Sequence, residues 1–253
     1  MKKHMWTFMI LCILSIGVNT GAAGVEVALG GWYHLPTGEM SYKGDGVNDD
    51  IDIADDFGFD AETRFHGRLK IETPLLLPNL YLVAAPMEFE GTEERSVSFQ
   101  FGDETFVAGF EYDTRMTVNQ YDIGLFYGIP GVRTATAGKF NIDLGLNARI
   151  LDMTAEIEQD LLTEKAELVL PIPMIYAGFQ IKPVERISLE GELRGVTYEN
   201  NSLFSLIGRV KVNITGPVFA AAAYRYERVL IDTDDIEVDA VISGPMAEVG
   251  FEF

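Results

Sequence analysis

Two histidines follow the first 23 residues, His34 and His66, and side-chain proton transfer near neutral pH would fall to them first. A hydrolase set at a membrane rim needs an Asp/His pair within hydrogen-bonding reach to activate water. His34 follows a GGWY stretch outside any motif of that kind, and His66 stands between Arg64 and Arg68 in one polar row. The sequence holds no nucleophile elbow, phosphate loop or zinc-ligand spacing. Its one cysteine, Cys12, lies in an N-terminal apolar run. The chain beyond that run therefore has no thiol for a disulfide, a thiolate nucleophile or a Cys-based metal site. These residues predict a protein that is not an enzyme and carries no cofactor.

Carboxylates are more numerous. Between His34 and Ala61 stand Glu39, Asp45, Asp49, Asp50, Asp52, Asp55, Asp56 and Asp60, opposed only by Lys43. Oxygen donors at that density suit Ca²⁺ or Mg²⁺. The spacing does not match a twelve-residue calcium loop, so a solvated acidic loop is the preferred reading. Asp49, Asp50, Asp52, Asp55 and Asp56 remain its weak metal candidates. The same holds for Asp232, Asp234, Asp235, Glu237 and Asp239.

A third set has a different spacing. Arg64, Arg68, Lys70, Arg149, Lys182, Arg194, Arg209, Lys211 and Arg225 recur at every second position of alternating segments. So do Glu72, Asp122, Asp143, Glu190, Glu192, Glu227, Glu248 and Glu252. Long charged side chains on the inner face of a narrow barrel either pair across it and close it or line a selective pore. Pairing is preferred, because an unpaired buried charge is too costly to keep.

Those positions must be held by strands. Phe140, Ile142, Leu144, Leu146, Ala148 and Ile150 alternate with Asn141, Asp143, Gly145, Asn147 and Arg149, and the stretches 187–194 and 204–214 behave alike. Period two means strands half buried in something apolar. Ten such segments are expected, at about 25–33, 62–73, 79–91, 104–128, 139–159, 164–182, 187–199, 202–214, 218–231 and 236–253. Apolar stretches of about 9 to 11 residues fit a tilted strand crossing a bilayer. Trp32, Tyr33, Tyr121, Tyr127, Phe140, Tyr224 and Tyr226 sit near segment ends, as interfacial aromatics do. The last strand carries Phe251 and Phe253, and a terminal aromatic of this kind resembles the signal read by the barrel assembly machinery. In this strand the apolar phase changes near Ser243 and Gly244, which places the part before it above the membrane.

Composition agrees with this reading. With 19 Lys and Arg against 39 Asp and Glu, the net charge of -20 argues against nucleic acid, whose phosphates need a basic stripe. At 47% hydrophobic residues the chain is too rich in core formers to be an acidic disordered tail. Residues 1–23 combine Lys2 and Lys3, an apolar run from Met5 to Val18 and small residues through Ala23, the pattern of a cleaved secretory leader. Residues 24–253 are then one all-β domain, an up-and-down antiparallel transmembrane barrel of ten strands in the bacterial outer membrane.

The stretches GGWYHLPTG, DIADDFGFDAE, ETPLLLPNLYL, PIPMIY and SGPMAEVGFEF, in that order, resemble an uncharacterised family of bacterial outer-membrane β-barrel proteins marked by a Gly-Gly pair near the mature N-terminus. The resemblance covers essentially the whole chain after the leader. It implies a barrel and an outer-membrane location, and no catalytic residue or substrate. The chain departs from it at Thr73-Pro74, where a His-Pro pair is expected.

Two functions are open on these residues. One is a narrow or largely plugged barrel acting as a passive conduit for small solutes. The other is a structural or surface-interaction barrel with acidic extracellular loops and no transport. Expected partners are outer-membrane lipid and lipopolysaccharide, the assembly machinery during biogenesis, and divalent cations at the acidic loops.

Overall fold

A computed structural model describes residues 24–42, 51–74, 77–102, 104–233 and 236–253. The expected leader, Cys12, Lys43, Asp45, Asp49, Asp50, Asp234 and Asp235 lie outside the described residues. From the N-terminus the strands are β1 (Val25–Tyr42), β2 (Ile51–Asp52), β3 (Glu62–Ile71), β4 (Asn79–Glu94), β5 (Phe99–Phe101), β6 (Glu104–Phe106) and β7 (Glu111–Gly128). A short turn of helix, α1 (Val132–Ala135), precedes β8 (Phe140–Gln159) and β9 (Leu162–Val184). Then come β10 (Ile187–Tyr198), β11 (Asn201–Thr215), β12 (Val218–Asp232) and β13 (Ile236–Glu252).

Ten of these strands form one antiparallel sheet in the order β1-β3-β4-β7-β8-β9-β10-β11-β12-β13. It closes on itself where β13 pairs with β1, from Glu26↔Glu252 to Ser41↔Glu237. Closure removes both sheet edges, which a β-structure in lipid requires. β2 adds to the upper end of β1, and β5 and β6 form a separate hairpin.

The wall has two zones of opposite polarity. On β8 the outward residues run Phe140, Ile142, Leu144, Leu146, Ala148 and Ile150, with Leu146 70% exposed. Eleven residues span about 34 Å along a strand, or about 25 Å vertically at the usual tilt of membrane barrels. That is the height of a lipid-facing apolar band. Immediately above, the outward face of the same strand becomes Asp152, Thr154, Glu156 and Glu158, while Leu151, Met153, Ala155 and Ile157 turn inward. β7 repeats the change: Tyr121, Ile123, Leu125 and Tyr127 face out below, Glu111, Asp113, Arg115 and Thr117 face out above. Below the switch the barrel is built for lipid outside, and above it for water outside and an apolar filling.

The last strand changes its apolar phase in the same way. The β12–β13 ladder runs from Val218↔Phe251 to Asp232↔Glu237 in one register, so β13 does not change facing at Ser243 and Gly244. Its apolar residues change side because the surroundings do. Val238, Ala240 and Ile242 enter the buried core, and Glu237 and Asp239 meet water. Alternation above the membrane is enforced by an internal apolar core.

The expected long acidic loop after residue 33 is corrected. β1 continues to Tyr42 against β13, and residues 51–61 fold inward with Ile51, Ile53, Phe57 and Phe59 buried. Thr114 Oγ1 donates to Phe57 O at 2.5 Å, and Tyr112 donates its hydroxyl proton to Asp56 O at 2.5 Å, pinning this segment to β7. Burial and the neighbouring Asp56 push the Tyr112 phenol up to about 12. The expected strand start near residue 104 falls later, at Glu111, because 99–106 forms its own hairpin. Phe99, Phe101 and Phe106 of that hairpin are buried in the apolar core.

Candidate functional site

Inward alternation in the lower half concentrates charge. Arg149 reaches across the interior as a fork: Nε and Nη2 donate to the two oxygens of Asp122 on β7, each at 2.8 Å, and Nη1 donates to Glu227 of β12 at 2.8 Å. Arg225 pairs with Glu227 and donates to Gln120 at 2.7 Å, while Gln120 donates to Glu227 at 2.7 Å. Asn147 completes the layer by donating to Asp122 at 2.9 Å.

Nearer the end that carries the tight turns 185–186 and 216–217, the periplasmic end in barrels of this kind, Arg209 contacts three carboxylates. Its Nη1 donates to Glu190 at 3.1 Å and Glu192 at 2.7 Å. Its Nε lies 3.1 Å from Glu248, and its Nη2 donates to the same carboxylate at 3.4 Å. Arg194 donates to Glu192 at 2.9 Å and lies over the rings of Tyr81 and Tyr176. Arg68 pairs with Glu26 and Glu248, and Lys211 pairs with Glu26, Glu190 and Glu252. Lys70 and Asp143 pair at 3.1 Å. Most of these charges are almost fully buried, with Arg149 at 0% and Arg194 at 1% exposure. Such groups are tolerable only when paired and hydrogen-bonded.

Of the expected interior charges, Arg68, Lys70, Asp122, Asp143, Arg149, Glu190, Glu192, Arg194, Arg209, Lys211, Arg225 and Glu227 stand together in this floor, with Glu248 and Glu252. Arg64 does not. It lies at the upper seam between β3 and β4, donating to Glu88 O at 3.1 Å and pairing with Glu62 and Glu88. The β3–β4 ladder stops at Gly67↔Ala84, so Arg64 reaches sideways across a gap in the wall. Glu72 pairs with Arg133 at the periplasmic mouth, which Lys182 also lines. His66 Nε2–H donates to Glu248 at 2.9 Å inside the floor. His34 lies in the apolar storey between Trp32 and Phe89, its Nδ1–H donating to Glu62 O at 3.1 Å.

Glu26 was not among the expected charges. It is the only charge on the inward row Glu26, Ala28, Gly30, Trp32, and a single charge does not announce a polar face. Gly30 of the Gly-Gly pair has a steric reason to be glycine. A Cβ there would sit 2.2 Å from Ala247 O and 2.7 Å from His66 Cε1, whereas at Gly31 it would be 3.6 Å from Thr63.

The acidic candidates have local partners. Asp52 Oδ1 accepts from the backbone of Ala54 and Asp55 at 2.8 and 2.7 Å. Asp56 accepts from Asp52 N at 2.9 Å and pairs with Arg95 at 3.2 Å. These carboxylates turn a loop, and among the described residues no three or more His, Asp or Glu side chains converge on a metal position.

Above the floor lies the apolar compartment. Trp32, its ring 4.3 Å from the Arg225 guanidinium, forms part of the boundary. Over it pack Met87, Phe89, Met116, Val118, Leu151, Ile242 and Met246, capped by Ile53, Phe57 and Phe59. Within the compartment is an apolar void of about 30 Å³, bordered by Met40, Ile53, Met116, Met153, Val229 and Ala240, with Gln120 of the floor at its edge.

A closed barrel with lipid-facing apolar residues around a charged interior is an integral outer-membrane β-barrel. No protein-family model and no curated protein matches this chain. Among solved structures it is similar to the attachment invasion locus protein Ail of Yersinia pestis, at 13% identity over 91% of this chain and 99% of that one, TM-score 0.39. It is also similar to the translocator domain of the autotransporter NalP from Neisseria meningitidis, at 10% identity over 99% and 96%, TM-score 0.41. Neisserial surface protein A is similar at 10% identity over 92% and 98%, TM-score 0.32. Likenesses this distant carry no conclusion about role.

Proposed function

We propose that the barrel is a passive conduit that admits small apolar solutes to the compartment above the floor and passes no ions. The observation that carries this reading is where the methionines are. All six that follow residue 23, Met40, Met87, Met116, Met153, Met174 and Met246, belong to or pack against the apolar core. An unbranched thioether with three rotatable bonds re-packs around irregular shapes. A core selected only for rigidity would favour Leu, Ile and Val. Three of these methionines border the void, so it can widen by rotamer changes without moving strands. Ions are refused beneath, because crossing the floor means parting buried, mutually paired charges.

The test is methionine-methyl NMR of the folded barrel in nanodiscs, titrated with benzene. The methyls of Met40, Met116 and Met153 should shift saturably, and a Leu151→Trp variant, which fills the void, should abolish the shift. Planar bilayers should show no ion-conducting steps. If none of the six methyls responds to benzene, the conduit reading fails and a purely structural or surface-interaction barrel takes its place.

A further inference from the structure

The interior core is covered from above by residues 51–61 and the β5–β6 hairpin, and closed from below by the ionic floor. A solute must therefore pass through the wall. Among the described residues, two ladders, β3–β4 and β9–β10, stop well short of the upper ends of both their strands. At β3–β4 the gap above Gly67↔Ala84 is spanned by Arg64 and Glu88 and backed by Met87 and Phe89, both buried. It is polar outside and filled inside.

The other seam is different. The β9–β10 ladder ends at Ile175↔Gly195, although β9 runs on to Leu162 along β8 and β10 runs on to Tyr198 along β11. Beside that end lies a groove of about 640 Å³. Its lining includes the outward residues Ile175, Leu193 and Phe204, which face lipid, and also Val196 and Leu203, which face the interior core. Beyond Ile175↔Gly195 no strand pairing joins β9 to β10, and beside that gap the inward side chains of Val196 and Leu203 lie between the groove and the core.

These two side chains lead to the void. Val196 pairs with Leu203, Leu203 with Val229, and Val229 with Ala240, four inward neighbours in one row across β10, β11, β12 and β13. The first two line the groove, and the last two line the void. The mouth also has the right depth. Tyr226 and the Arg228–Asp239 ion pair at 2.9 Å form its upper border, with exposed Leu193 and Phe204 beneath. Aromatic and charged residues mark the headgroup level and apolar residues the acyl region.

We infer that small apolar molecules dissolved in the outer leaflet enter the compartment sideways through the β9–β10 opening, with Leu203 as the side chain that closes the passage. This inference rests on the apolar-solute reading above and names its route. Gly195 at the lip carries no side chain to shield the mouth.

The experiment follows benzene exchange at the Met40, Met116 and Met153 methyls in nanodiscs. Leu203→Trp should slow exchange by about tenfold or more, as about 1.4 kcal/mol of added barrier would, and Leu203→Ala should speed it. Gly195→Phe is the second variant, placed on the lipid face where it blocks the mouth without burdening the core. Its Cβ would lie 3.3 Å from the Phe204 ring, which can swing into lipid. It should slow exchange as well. Thr114→Val, which loosens the upper cover, should leave the rate unchanged. If Gly195→Phe exchanges at the wild-type rate, or Thr114→Val speeds entry instead, the lateral route is overturned while the compartment stands. If wild-type methyls never respond, the compartment reading itself has failed.

Discussion

Replacing Arg209 by Ala removes one guanidinium that three buried carboxylates share. Glu190, Glu192 and Glu248 lie 3.1, 2.7 and 3.1 Å from its nitrogens, and Arg209 is itself 4% exposed. Breaking a buried pair by deleting one partner costs about 3 to 5 kcal/mol. Here each carboxylate keeps a second base: Lys211 for Glu190 at 3.0 Å, Arg194 for Glu192 at 2.9 Å and Arg68 for Glu248 at 3.1 Å. That places the expected loss at the lower end, about 3 kcal/mol. The neighbouring residue supplies the control. Val210 faces lipid midway along the outward row from Phe204 to Ile214, and Val210→Arg should cost about 2 to 4 kcal/mol at the midplane. Urea titration of the barrel in lipid vesicles, read by heat-modifiable gel migration, measures both. The two variants diverge in planar bilayers. Arg209→Ala leaves a cavity and an excess negative charge in the floor, so cation-selective steps should appear, whereas Val210→Arg leaves the floor intact and silent. A cost below about 1 kcal/mol with no conductance, the range of solvent-exposed pairs, would refute a dry, load-sharing floor.

Gly30→Ala should destabilise by about 1 to 3 kcal/mol, the cost of overpacking against backbone, while Gly31→Ala should stay within about 0.5 kcal/mol. Equal melting midpoints on the heat-modifiable gel would show that Ala247 and His66 do not confine Gly30. On β7, Ile123→Arg should cost about 2 to 4 kcal/mol in vesicles, but Thr117→Arg, outward and above the polarity switch, under about 0.5 kcal/mol. Similar losses at both positions would mean that the switch is not the membrane boundary.

The ten barrel strands were legible because lipid outside and paired charge inside enforce strict alternation over whole segments. The floor was legible for the same reason: Arg149, Arg194, Arg209 and Glu227 occupy the polar phase of strands whose other phase is unambiguously apolar. The compartment was not, although its signal is present. Met116 and Val118 hold even positions, and Tyr121, Ile123, Leu125 and Tyr127 hold odd ones, so a single apolar phase assigned to the whole segment averages two opposite faces. Ile51, Ile53, Phe57 and Phe59 also share one parity. Their aspartates drew the reading toward a solvated loop. The extension of β1 was hidden by Pro36 and Gly38, residues that mark turns in most settings and here sit in a strand held by β13. Arg64 was placed by parity alone, and parity says nothing about where a ladder ends.

The polarity switch also sets how deep the molecule sits. On β8 the outward face passes from Ile150 to Asp152 in one step, and on β7 from Tyr121 to Asn119. Sinking by one such step would draw Asp152 and Asn119 into hydrocarbon, and rising by one would lift Tyr121 and Ile150 into water. Penalties oppose travel in both directions, so the ring acts as a draught mark, and a bilayer of different thickness must deform to meet it. The β9–β10 opening hangs from the same mark. Its apolar mouth is held just under the headgroups of the outer leaflet, and thinning or thickening the membrane would change what the opening faces before it changed the barrel.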